Sequence, residues 1–388
     1  MKTKRISRLF YTLCIAGSLL ACQKEEQPIS DSNETNLKFD FGIKRKTLTA
    51  KEWTNRADLV PRYSHTSLVF DDKLWIIGGR GDSEIPKNDV RYSYNGINWH
   101  TATSNAAFSP RYDHSSAVFQ GKMWVVGGKM FDPDDHDQQW DPDHDHDVQD
   151  DEYSELSDVW SSADGVNWEL VTSDADFEAR NGHTLTSFAG ALWLIGGTSN
   201  DQSPAICCGF EDVWKSTNGS DWVKVTDNAS FDLRASHTTL AVGRTLVVIG
   251  GDIKNGNWQI WYSLDGATWN KALENPPFGK RYGHSLIHDG EYLWLIAGHA
   301  ALSPYYDLAN DVWYSKNGMD WFEAGTTTQF PIRKNHTSAY FNNRLWVING
   351  QGNLGKGQVG YSVLSDIWSL EEPGCCEIDD ITLGLIEN

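Results

Sequence analysis

Positive charge is scarce in this chain. Lys and Arg number 33 against 53 Asp and Glu over 388 residues, a formal net charge of −20. A general nucleic-acid binder needs a basic surface to displace counterions, so that class is excluded. The apolar run Leu9–Leu20 spans only 12 residues, short of the ~20 that a helix needs to cross a bilayer. Cysteine is sparse too: Cys14, Cys22 and the adjacent pairs Cys207-Cys208 and Cys375-Cys376. Neither pair has metal-finger spacing. No nucleophile–base–acid constellation stands out anywhere along the chain.

The N-terminus reads as an export signal. Lys2, Lys4, Arg5 and Arg8 precede the apolar run, which ends in Leu19-Leu20-Ala21-Cys22. These four residues resemble a bacterial lipobox, which implies cleavage after residue 21 and a lipid anchor to the membrane on Cys22. Cleavage removes four positive charges and no negative ones, so −20 becomes −24. Gln23-Lys24-Glu25-Glu26 resembles the signal that sends certain lipoproteins to the outer cell surface; the periplasmic face of the outer membrane is the alternative. Residues 22–50 are polar and aperiodic, a flexible tether.

What the chain has in abundance is repetition. Six Arg-x-x-His starts occur, at Arg62/His65, Arg111/His114, Arg180/His183, Arg234/His237, Arg281/His284 and Arg333/His336. From each His to the second residue of a Gly-Gly pair, or of its stand-ins Ala297-Gly298 and Asn349-Gly350, is 14 residues. From the Asp of Asp-Val-Trp to the next Trp is 10 residues, with Gln259 replacing Asp in the fourth unit. Self-similarity at about 50 residues signals a repeat architecture. Each unit holds four short apolar runs separated by turn residues, which describes a four-stranded propeller blade. The pattern resembles the kelch family over residues 51–370, and that resemblance implies an all-β, six-bladed propeller. The sixth unit lacks its fourth strand, whereas Trp53 precedes the first start with no strands before it. Residues around Lys51–Asn55 are therefore expected to complete the last blade and close the ring. Residues 371–388 remain as a C-terminal tail. Of 18 Trp, the repeat absorbs 16, so the aromatic content reflects blade packing. On this fold Cys207 and Cys375 leave by opposite ends, which favours vicinal or unpaired cysteines in the oxidising compartment.

Length variation concentrates in one loop per blade. The spacing from the second Gly to the strand-three Asp or Gln runs 10, 30, 15, 8, 13 and 16 residues. These loops between strands two and three share a face with the connections between blades, while the opposite face carries tight turns. Variable loops on a rigid scaffold are where binding groups are placed.

Four groups of candidates follow. Arg62, Arg111, Arg180, Arg234, Arg281 and Arg333 are expected near the channel mouth, where forked donors suit carboxylates; the alternative is that each pairs with a neighbouring blade's carboxylate. The loop from Lys129 to Ser157 carries Asp141-Pro-Asp143-His144-Asp145-His146-Asp147, with oxygens at alternate positions as in calcium loops. A divalent cation, calcium first, is the cofactor it suggests; a solvated acidic excursion is the alternative. Trp140, Trp258, Tyr305 and Tyr306 are loop aromatics able to stack on sugar rings or to cover the blade tops. Finally, a sialic-acid mutarotase of the kelch type has the same architecture and implies an Arg with an acid/base for ring opening, for which Glu84, Glu211 and Asp307 are available. Galactose-oxidase-like copper chemistry needs a Tyr–Cys pair and added domains that are not found. The expected function is thus a ligand-binding propeller that takes an extracellular glycan or protein on its variable face, with a carbohydrate-active enzyme as the alternative.

Overall fold

The computed structural model describes residues 52–131, 153–199, 209–251, 258–301, 306–326, 328–353 and 360–371. These residues form six antiparallel sheets in a ring, with no helix among them. Blade one shows the plan: Thr66–Phe70, Lys73–Arg80, Pro86–Ser93 and Trp99–Thr103 pair in sequence order. The second strand of every blade is the buried one, and Leu74, Ile76 and Ile77 are fully covered. A strand buried on both faces needs a continuous apolar run, which Leu-Trp-Ile-Ile supplies.

The ring closes as expected, three residues later than the sequence suggests. Thr54–Asp58 pairs with Tyr361–Glu371 as the fourth strand of blade six. Trp53, just before it, is buried and meets Phe330 edge-on at 4.9 Å. The same contact, a Phe three residues before the Arg against the strand-four Trp of that blade, recurs at Phe108–Trp168, Phe177–Trp222, Phe231–Trp269 and Phe278–Trp321. Trp53 therefore belongs to blade six by its packing as well as by its hydrogen bonds.

Blades stack through paired large and absent side chains. In blades one to four the turn glycine between strands three and four lies on the strand-two indole of the preceding blade. A methyl at Gly165 would come within 2.2 Å of the Trp75 ring. The turns themselves are internally satisfied: Ser162 Oγ accepts from the Gly165 amide, and Asp164 Oδ1 from the amides of Val166 and Asn167. The Ser-x-Asp-Gly segments are turn formers.

Candidate functional site

The six Arg-x-x-His segments build the centre of the ring. The residues before each His are Ser64, Asp113, Gly182, Ser236, Gly283 and Asn335. All six have φ between 50° and 60°. That left-handed backbone turns each amide onto the carbonyl of its predecessor around the axis. The result is a closed girdle of six hydrogen bonds of 2.8–3.0 Å, completed by Ser64 N–H to Asn335 C=O. A second girdle joins the second Gly of each blade to the Arg carbonyl of the next, as in Gly79 N–H to Arg111 C=O and Gly350 N–H to Arg62 C=O. Inside lies a cavity of about 150 Å³ lined by the six girdle residues and the six histidines.

The histidines are core groups. Each is 4–5 % exposed, and five share a proton between Nε2 and a hydroxyl of the preceding blade, as His114 does with Thr66 at 3.1 Å. His183 has no such bond; Ser115 donates to its backbone carbonyl instead. Burial, reinforced by the Arg charge of the same blade, pushes His114, His183 and His284 down to about 3. His65, His237 and His336 are pushed well below the ordinary value for the same reasons.

The six arginines do not line that cavity. They sit outside it, 0–2 % exposed, with the guanidinium fork held by the blade's own strand-three Asp. Arg62 pairs with Asp89, Arg111 with Asp158, Arg180 with Asp212, Arg281 with Asp311 and Arg333 with Asp366, at 2.6–3.0 Å. Each Nη1 also donates to the carbonyl of the residue before the second Gly, such as Gly78 for Arg62. The partner is thus in the same blade and not the neighbour: the Arg side chain reaches past strand two to the Asp at the start of strand three. A fork filled on both tines is closed to a ligand. Arg234, whose blade carries Gln259, has no carboxylate on its fork.

Next to the girdle, on the face of the loops between strands two and three, lie the residue after each Arg and those just after the Gly pair; Tyr63, Tyr112, Asn181 and His299 among them are buried. Backbone bridges join them as Tyr63/Arg80, Tyr112/Lys129, Asn181/Thr198, Tyr282/His299 and Lys334/Gln351. On blades one and two, Arg80 lies over the rings of Tyr112 and Tyr153 at 4.9 and 4.8 Å, and its Nε reaches Glu84 at 2.8 Å. Glu84 in turn accepts from the Tyr63 hydroxyl at 2.7 Å. Lys129 pairs with Glu155 at 3.3 Å. On blades five and six, Tyr282 packs on His299 with ring centres 4.7 Å apart, and Lys334 lies 4.1 Å over Tyr361. Lys334 makes no ion pair among the described residues, and burial lowers its pKa despite the charge of Asp113. Asp113 is the one acid in the girdle. Burial raises its carboxyl, against the pull of Ser64, Lys129, Arg80 and Lys334.

Sequence reasoning passed over these mouth residues. The signal was present in the position after each Arg, which reads Tyr63, Tyr112, Asn181, Ala235, Tyr282 and Lys334. Of the acid/base candidates, Glu84 is held by Arg80 and Tyr63. Glu211 has its pKa raised, first by burial and then by Asp232 and Asp212. Trp258 is half-buried beneath Lys280, whose ammonium lies 4.2 Å from the ring centre. Tyr306 opens a strand of blade five. Cys22, Trp140, the Asp141–Asp147 segment with His144 and His146, Cys207, Cys208, Tyr305, Cys375 and Cys376 lie outside the described residues, as do the side chains of Tyr306 and Asp307. A groove of about 580 Å³ between blades one and two is lined by uncharged residues including Asn88, Phe108 and Trp168. It offers less chemistry than the mouth.

No family model matches the sequence, and no curated protein matches it. Among solved structures, 526 chains are similar, so the fold alone says little about a ligand. One of them, titled "Structure of YjhT", superposes with a TM-score of 0.59 at 15% identity, over 80% of this chain and 96% of that one. At that identity the likeness shows the fold: this chain is a six-bladed β-propeller.

Proposed function

We propose that this chain is a kelch-type propeller, anchored to the outer membrane through a lipid on Cys22, that binds an extracellular glycan on its variable face. The observation that carries the glycan reading is the make-up of the channel mouth. Partly exposed aromatic side chains (Tyr153, Tyr282, Tyr361) alternate with donors and acceptors fixed by mutual bonding (Arg80 with Glu84, Lys129 with Glu155). A sugar ring presents an apolar face and a polar edge, and this surface presents the complement. Pre-bonded side chains also lose little freedom on binding.

A glycan-array screen of the chain, with calcium and with chelator, tests the reading. A bound glycan is expected to lose about ten-fold in affinity, ~1.4 kcal/mol, in Lys334→Ala and in Tyr361→Ala. Tyr361 is 44 % exposed, so its removal leaves the core intact. A hit indifferent to both changes would move the site off the mouth. A hit lost with chelator would bring in the Asp141–Asp147 segment and a calcium ion. No hit at all would favour a protein ligand. The anchor is tested separately: Cys22→Ala is expected to shift the chain from the membrane to the soluble fraction, and an unchanged distribution would count against lipidation.

One observation favours a second reading, a sugar-converting enzyme such as a sialate mutarotase. Asp113 is a half-buried acid with a raised pKa, within electrostatic reach of Arg80. Ring opening needs such a group. Loss of anomerisation in Asp113→Asn with sugar binding retained would establish it.

A further inference from the structure

Blade four replaces the strand-three Asp, and three polar groups lose their partner together. In the other blades the strand-three Asp accepts from the Arg fork. It also accepts from a second donor two residues on: the indole Nε1 of Trp160, Trp214, Trp313 and Trp368 at 2.6–2.7 Å, or Arg91 Nε at 2.7 Å in blade one. In blade four the acceptor is Gln259. Its amide nitrogen is turned towards Glu274 at 3.5 Å, and its buried Oε1 has no partner. Trp261 Nε1, in an indole 8 % exposed, has none either. Arg234 keeps the bond from Nη1 to Gly250 C=O and donates otherwise only to Phe231 C=O, so its charge is buried without a counter-charge on the fork. Burial pulls its pKa down to about 9, opposed only by Asp232.

We infer that blade four holds an exogenous carboxylate in the position that Asp occupies in the other five blades, bound by the fork of Arg234 and the indole N–H of Trp261. The geometry of this seat is known from its sister blades, where two carboxylate oxygens satisfy the same donors. A buried guanidinium with no carboxylate bonded to its fork among the described residues, beside an indole donor with no acceptor, is costly to leave so. The seat is reached from solvent, because the side chains of the five equivalent Asp are 8–22 % exposed. Lys280 lies over Trp258, the residue before Gln259, and adds a second positive charge on the approach. The occupant is either a free small organic acid or the carboxylate of a larger ligand such as an acidic sugar. None of these residues belongs to the glycan surface proposed above, so the seat stands or falls independently of it.

The test is thermal unfolding of the chain in rising sodium formate, beside Gln259→Asp, which rebuilds the internal carboxylate. Wild type is expected to gain about 5 °C at saturation, as a ligand held at ~100 times its Kd confers. Gln259→Asp should start higher and respond no more than its surface charge dictates. Trp261→Phe should need about ten-fold more formate. Sodium glucuronate distinguishes the sources: the same response as formate means a free small acid, and a response at ten-fold lower concentration means the carboxylate of a sugar. Equal responses of wild type and Gln259→Asp, or a flat wild-type curve, would overturn the assignment.

Discussion

Acidification is expected to unfold the propeller cooperatively near pH 5. The cause is the ring of six histidines, all buried and all held neutral by the fold. Burial pushes three of them down to about 3 and the other three well below the ordinary value, whereas an unfolded chain protonates its histidines near 6.5. Between those values the unfolded chain binds more protons than the folded one, so stability is full above pH 6.5 and falls as the pH drops. At pH 5 each histidine costs about 2 kcal/mol, whatever its exact folded pKa. Six cost about 12 kcal/mol, comparable with the whole stability of a typical domain at ~5–15 kcal/mol. Asp113 works the other way by one proton, because its raised carboxyl makes the folded state the better binder. Tryptophan fluorescence against pH, with denaturant titrations at several pH values, gives the midpoint and the proton count. His183→Gln should lower that count by one, since it removes one group whose proton affinity the fold depresses. A midpoint below pH 4, or a slope of only one proton, would show that the ring does not govern acid stability.

The architecture was legible in the sequence because symmetry forces the same residue into the same place six times. The 14-residue interval from His to the second Gly is one strand, its turn and the return. A methyl on that glycine would meet the blade's own His, at 2.6 Å in the case of Gly79 and His65. Closure was legible because Trp53 had no strand of its own, although the strand begins at Thr54 and not Lys51. The arginines misled for a physical reason. Their partners stand 27–47 residues further on, and nothing local says that strand three of the same blade returns to the Arg. The mouth escaped notice because its residues vary from blade to blade, and a search for sameness discards the columns that vary. Tyr63, Tyr112, Tyr282 and Lys334 are adjacent to an invariant landmark and are set in place by it. The gap at Gln259 was visible as a substitution. That Trp261 loses its acceptor with it needed the packed blade.

Breaking one Arg–Asp pair should cost far more than breaking an exposed ion pair, and blade two is the place to measure it. Asp158→Asn leaves Arg111 wholly buried with its charge unanswered, and deprives Trp160 Nε1 of a carboxylate at 2.7 Å. The loss of one partner of a buried pair typically costs ~3–5 kcal/mol, against ~0–1 kcal/mol for an exposed bridge such as Lys122–Glu169. Denaturant unfolding of the two single variants, Asp158→Asn and Glu169→Gln, measures both on one scale. A cost below ~1 kcal/mol at Asp158 would mean that solvent replaces the carboxylate freely, and the unpaired Arg234 would then need no ligand. A cost in the expected range has a further consequence. Asp158→Gln reproduces in blade two the chemistry of blade four, with an Arg fork, an indole donor and a glutamine. Such a variant should regain part of its lost stability in sodium formate, while Asp158→Leu, too bulky and apolar to admit an anion, should not. Recovery in the first and none in the second would show that the seat in blade four follows from the propeller's own geometry and needs no residue beyond the three named.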